Sequence, residues 1–306
     1  MRGFRISVLI VTIAVLLCGC QRKALLEPGH HHGNLVGISI ALKVQTAVQM
    51  DAECRSFTVI AFPKDPSAHV ETVNIKGSRG SFYLVPATYD VLVYTSDFYD
   101  LDANYYRGMD NMYTAEAYTR QVLKSKEGTK SEFVMENPDP LFACLYEDLE
   151  VEANDGNSIT VELEPRSYKY WFWVNVKGLE YLSSAYMEIQ GMYTSAFLWD
   201  GSNRDQEYGV QSVETVLYKD QDKIYGEFWS FGPHQSEDVR NTMVLNFING
   251  RNIRVQLDDI TDLIKPLTHG GEIRIDQSFV INAGDSGSGF EPEVGEWEDV
   301  GVDIPI

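Results

Sequence analysis

Residues 168–176 read YKYWFWVNV. Tyr168, Tyr170, Phe172, Val174 and Val176 alternate with Lys169, Trp171, Trp173 and Asn175. A repeat of two gives a strand two distinct faces, whereas a helix would scatter it around its circumference. β-Branched and aromatic residues also suit a pleated surface. Downstream, AYMEIQG, YTSAFLW, VQSVETVLY, KIYGEFWSF, TMVLNFI and NIRVQL extend the pattern, the last alternating Ile253, Val255 and Leu257 with Asn252, Arg254 and Gln256. Upstream, Ile38, Ile40, Leu42 and Val44 alternate with Gly37, Ser39, Ala41 and Lys43. FTVIAF (57–62), HVETVNI, SFYLVPATYDVLVYT, EFVM and NSITVEL follow, split by turn signals such as PKDPSA and KGSRG. Short strands at this spacing predict an all-β chain of sandwiches or barrels.

The two runs of strands meet near Pro165. Two β-sandwich domains are therefore expected, at 35–165 and 166–306. Two stretches break the pattern. DDITDLIK before Pro266 predicts a short helix with Asp258 or Asp259 near its N-cap. Residues 95–125 form a long Tyr-rich insertion, expected to end in a helix.

The N-terminus is an address. Arg2 and Arg5 precede an almost wholly apolar run, Ile6 to Leu17, which predicts a signal peptide over residues 1–19. The run is too short for a membrane span, which needs roughly 20 residues. Leu17-Cys18-Gly19-Cys20 resembles a bacterial lipobox. That resemblance implies cleavage after Gly19 and acylation of Cys20, with palmitate as the expected label. Each buried methylene contributes about 0.8 kcal/mol, so two or three acyl chains anchor stably where one does not. Residues 20–34 then read as a lipidated tether. His30, His31 and His32 within it are adjacent, so their side chains diverge and do not converge on one ion, and no metal site is expected.

The formal net charge is −20, and losing Arg2 and Arg5 with the signal makes the remainder more acidic still. Such a chain repels nucleic acid and anionic membrane surfaces. Besides Cys20, the mature chain carries Cys54 and Cys144. An oxidising envelope permits a disulfide between them, and two buried free thiols fit equally well.

LVPATYDVLVY (84–94), VELEPRSYKYWFWVNVKGLEYL (161–182) and the closing GEWEDVGVDIPI, together with the lipobox, resemble the fimbrillin-like (Mfa-like) lipoproteins of Bacteroidales envelopes. The resemblance implies two transthyretin-like sandwiches, attachment to the outer membrane, and a structural or adhesive role as a pilus component or anchor. It also implies proteolysis after a basic residue, here Lys43 or Arg55, which removes the first strand so that a neighbour's strand can fill its groove. The terminal face of Val300, Val302, Ile304 and Ile306 suits a donor strand, and Ile38 to Val44 an exchangeable edge strand. Gln21-Arg22-Lys23 departs from the acidic run common after the cysteine in surface-exposed relatives. Partners on this basis are other pilus subunits, by strand exchange or self-association, and a glycan or host surface.

No catalytic constellation or cofactor motif emerges, and a non-enzymatic protein is expected. GDSGSG (284–289) resembles a serine-protease nucleophile loop, with SAHV (67–70) as a faint histidine motif. Too little chain follows Ser286 to complete such a barrel, and the glycines read as a loop. DLDAN and DGSNRD lack the ligand spacing of a calcium loop. Trp171, Trp173, Tyr225 and Trp229 are expected to pack in a core or between domains. An aromatic platform for sugar rings is the other reading of these four residues, and goes with a glycan-binding lipoprotein.

Overall fold

A computed structural model describes residues 35–44, 56–97, 104–124, 132–153, 157–248, 252–281 and 293–295. The expected signal peptide, Cys20, the three histidines, Cys54, Arg55 and the face from Val300 to Ile306 lie outside the described residues.

In chain order the strands begin with β1 (Val36–Val44), β2 (Ser56–Pro63), β3 (Glu71–Lys76), β4 (Arg79–Leu84) and β5 (Thr88–Asp97). The insertion carries β6 (Tyr105–Arg107), β7 (Glu116–Tyr118) and β8 (Gln121–Lys124), and β9 (Glu132–Met135) is the expected strand EFVM that follows it. β10 (Phe142–Glu150) and β11 (Asn157–Pro165) complete the first half. The second half runs β12 (Tyr168–Lys177), β13 (Ser184–Tyr193), β14 (Ser195–Phe197), β15 (Tyr208–Tyr218) and β16 (Lys223–Ser230). It closes with β17 (Thr242–Ile248), β18 (Asn252–Asp259), β19 (Gly271–Val280) and β20 (Glu293–Gly295). The all-β expectation holds.

The first sheet has the order β3-β2-β5-β10-β11-β1-β4. β10 and β11 pair only at Phe142↔Pro165 and Ala143↔Glu164, so the sheet folds there into two layers. Val36, Ile38 and Ile40 of β1 and Ile159, Val161 and Leu163 of β11 face Phe57 and Val59 of β2 and Val91 and Val93 of β5 across one core. The opposite faces of β2 and β5 are buried too, which explains the unbroken apolar run FTVIAF.

One strand sits elsewhere than expected. β1 is not an edge: it pairs in parallel with β11 and antiparallel with β4, so both of its backbone sides are engaged. Its alternation reports one buried face but carries no information on how many neighbours it has.

The second sheet runs β18-β17-β13-β15-β16-β12-β19-β20 and also folds into two layers. The long strand β15 makes the corner, pairing β13 through Glu214 and β16 from Thr215 onward. Tyr170, Phe172, Val174 and Val176 of β12 point into this core against Met187, Ile189, Leu245 and Phe247. Phe172 stands opposite Gly226, where any Cβ would lie 2.3 Å from the Phe172 Cζ. Glycine is the only residue that tolerates that approach.

The insertion forms strands where its end was expected to be helical. β6 and β7 join β14 in a three-stranded sheet, and the β8–β9 hairpin attaches through β9 to β15 of the second sheet. Pairing with partners distant in sequence outweighs the local helix preference of TAEAY. The expected helix before Pro266 is present as α1 (Thr261–Ile264). Asp259 accepts from the Thr261 backbone N at 3.0 Å and from its hydroxyl, while Ile260 at the formal cap offers no side-chain bond. Among the described residues no helix is long and apolar enough to cross a membrane.

Candidate functional site

Because Tyr170 and Phe172 of β12 face the core, the pleat turns Trp171 and Trp173 to the outer face. There they meet Tyr225 and Glu227 of β16, which lie directly opposite Trp173 and Trp171. The ring centroid of Trp173 lies 4.6 Å from that of Tyr225 and 5.5 Å from that of Tyr218 on β15. Lys169, Trp171, Trp173, Tyr218 and Tyr225 line a shallow cleft of about 500 Å³. The expected core packing of these tryptophans is therefore corrected: both are partly exposed and lie on the solvent side. Trp229 shares that face opposite Lys169 but does not line the cleft.

The rim is polar. Lys169 Nζ lies 3.0 Å from Glu227 Oε2, and the Tyr225 hydroxyl donates to the same oxygen at 2.6 Å. That hydroxyl bond, with Lys169 beside it, holds the Glu227 carboxyl below its ordinary value. Partial burial, reinforced by the neighbouring carboxylate, pushes the Tyr225 hydroxyl above its own. Lys223 Nζ stands 5.9 Å from the Trp173 ring centroid. An apolar floor with a few convergent polar groups can hold a ligand, but it has no nucleophile paired with a base.

A second cluster ties the insertion to the second half. The Glu116 side chain on β7 is fully buried. Arg107 of β6 grips it with two bonds, at 2.7 and 3.0 Å, and Arg204 Nε approaches both its oxygens at 3.0 and 2.9 Å. Arg107 also donates to Glu207. Burial pushes the Glu116 carboxyl up, but the bonds from Arg107 and Arg204 outweigh it and leave the group below its ordinary value. Beside this cluster, Ile60, Phe62, Leu92 and Tyr94 of the first half pack with Ala115, Ala117, Tyr193, Leu198 and Phe231. Arg166, almost wholly buried beyond Pro165, donates to the carbonyls of Leu198 at 3.0 Å and Trp199 at 3.4 Å. The junction between the sheets is thus a pinned corner. The Arg204–Glu116 and Arg166–Leu198 contacts were not legible in the sequence, since their partners lie 88 and 32 residues apart.

Of the other expected sites, Lys43 is an exposed residue within β1, its backbone in register with Glu162. Cys144 is partly buried on β10, and burial raises its thiol above the ordinary value. Its thiol lies 3.5 Å from the Leu145 carbonyl, and its proposed partner Cys54 is outside the described residues.

Two folded-over β sheets, joined at a buried seam and carrying a ligand-sized aromatic cleft, define a β-sandwich protein. More particularly, the chain belongs to the family described as a domain of unknown function, DUF5119, whose model matches residues 19–213. A candidate fimbrium anchoring subunit of Bacteroides ovatus, Fim4B, is 24% identical over 294 residues, covering 89% of this chain and 83% of that protein. The crystal structure of a candidate adhesin from Bacteroides ovatus matches with a TM-score of 0.62 at 21% identity, over 83% of this chain and 95% of that one. A second Bacteroides ovatus adhesin candidate matches with a TM-score of 0.51 at 12% identity, over 86% and 94%. The fimbrillin-like resemblance is upheld, and the fold is that of these adhesin candidates.

Proposed function

We propose that the protein is a non-enzymatic envelope lipoprotein serving as the anchoring subunit of a fimbrium. The observation that carries this is the match to a candidate anchoring subunit along 89% of the chain, across both sheets. In this reading residues 1–19 are removed, Cys20 carries the acyl chains in the outer membrane, and residues 20–34 form the tether. Residues 35–165 and 166–306 are then two domains, with the insertion strapped onto the second.

The position of β1 supports an anchor over a polymerising subunit. A lipid on Cys20 holds the sandwiches only while the chain from β1 to β2 is uncut. Cleavage after Arg55 would free the whole of β1 and the lipid with it. Cleavage after Lys43 would cut β1 within its ladder to β11, where Lys43 pairs with Glu162, an unfavourable protease substrate. An uncut anchor keeps its slot filled by its own β1, so it cannot accept a strand and can only donate one. The face of Val300, Val302, Ile304 and Ile306 is the donor in this scheme, despite Pro305, which lacks a ladder donor.

The test is to recover the protein from the envelope fraction of cells fed radiolabelled palmitate and to sequence its N-terminus. A labelled chain whose peptides extend upstream of Ser56, with label abolished in Cys20→Ala, is the expected result. An unlabelled chain beginning at Ser56 would instead make it a strand-accepting subunit and overturn the anchor role.

A further inference from the structure

We propose that the aromatic cleft across β12, β15 and β16 is a binding site for a neutral polysaccharide, a function the anchoring role neither requires nor explains. Trp171 and Trp173 are two residues apart on one strand face, about 6.6–6.8 Å along it. They offer consecutive ring surfaces to a linear ligand. Trp173 is backed by Tyr225 and Tyr218 at 4.6 and 5.5 Å, so its position is set before any ligand arrives. The face of an aromatic ring is electronegative, and the C–H groups on one side of a pyranose are apolar and weakly positive. The hydroxyls at the edge of that pyranose both donate and accept. Lys169 Nζ and Glu227 Oε2, 3.0 Å apart at the rim, present a donor and an acceptor side by side. That pairing matches two adjacent ring hydroxyls.

Charge narrows the class. An organic cation is the other common guest of an aromatic cage. Here it would meet Lys169 in the wall and Lys223 already over Trp173. An acidic polysaccharide would meet Glu227 and a chain of net charge −20. A neutral polyol is opposed by neither. The cleft is shallow and open along its length, with about 500 Å³ of space, so it admits an internal stretch of a chain and needs no free end.

The experiment uses the mature full-length protein in native gels cast with yeast mannan, galactomannan, arabinoxylan or laminarin. At least one polymer is expected to retard it. Trp173→Ala should then raise the dissociation constant, read by tryptophan fluorescence titration, at least tenfold. Trp199→Ala, away from the cleft, should leave it unchanged. If Trp173→Ala lowers the thermal midpoint, Tyr218→Ala and Trp171→Ala report on the same surface. No retardation in any of the four gels overturns the proposal, as does retardation equal in wild type and the cleft variants. Fluorescence quenching by a decaproline peptide without polysaccharide retardation would assign the face to polyproline segments and overturn it as well. Palmitate labelling does not depend on these variants, so the anchoring role stands or falls separately.

Discussion

Gly226→Ala isolates the closest contact in the second sandwich. The new methyl carbon would lie 2.3 Å from Phe172 Cζ, 2.7 Å from Cε1 and 3.0 Å from Cε2. Phe172 is fully buried between Tyr170 and Val174, so its ring has little free space to retreat into. Either the ring leaves its rotamer or β12 and β16 part locally, and such overpacking costs about 1–3 kcal/mol. For a chain of this size that lowers the thermal midpoint by about 2–4 °C per kcal/mol. Urea unfolding followed by circular dichroism measures the loss directly. Phe172→Leu alone also destabilises, by removing buried ring atoms. Combined with Gly226→Ala it should cost less than the two single changes added, because the smaller side chain makes room for the methyl. A loss below about 0.5 kcal/mol for Gly226→Ala, or strict additivity in the double variant, would refute the steric account. The same strands carry Trp173 and Tyr225, so the variant should also shift tryptophan emission.

At the seam, Glu116→Gln removes the charge that Arg107 and Arg204 share and should cost about 1–3 kcal/mol, moderated because both arginines can turn to water. Since the folded Glu116 carboxyl lies below its ordinary value of 4.5, its contribution is present above that pH and lost as pH falls through the folded value. The difference in thermal midpoint between wild type and Glu116→Gln should therefore shrink below pH 4.5, and a difference independent of pH would count against the charge. Arg166→Ala should loosen the Leu198–Trp199 segment, seen as faster amide exchange over residues 195–203. Arg166→Lys should not restore protection, because one ammonium cannot serve two carbonyls as the guanidinium does.

Strand identity was legible because period two survives tertiary context in YKYWFWVNV, and because the short β-rich run FTVIAF is bounded by turn signals. The facing of β12 was not legible, because aromatic residues occupy both of its sides and alternation has no sign. Lys169 and Asn175 mark the wet side at the two ends of the strand, but the tryptophans between them read as core. The parallel pairing of β1 with β11 was hidden because the two strands are far apart in sequence, and so an internal strand read as an edge. In the insertion, the helix preference of Ala115, Glu116 and Ala117 yielded to a ladder with Ser195–Phe197. The seam residues Glu116, Arg107 and Arg204 sit in turn-rich, polar sequence whose local pattern reads as solvent-exposed loop.

β1 runs parallel to β11, in register from Ile38↔Asn157 to Val44↔Leu163. In the proposed anchoring role a tether would pull β1 from its beginning, while β11 leads from its end, through a corner pinned by Arg166, into the second sheet. Tension between these two points acts along both strands in opposite directions. Their hydrogen bonds are then loaded together in shear, and cannot be peeled open one at a time. Failure under load requires breaking the whole ladder at once, and β4 grips the other side of β1 against the same pull. In the proposed anchoring role, strained between a membrane and a filament, the protein would thus be most resistant along the line in which it would be drawn.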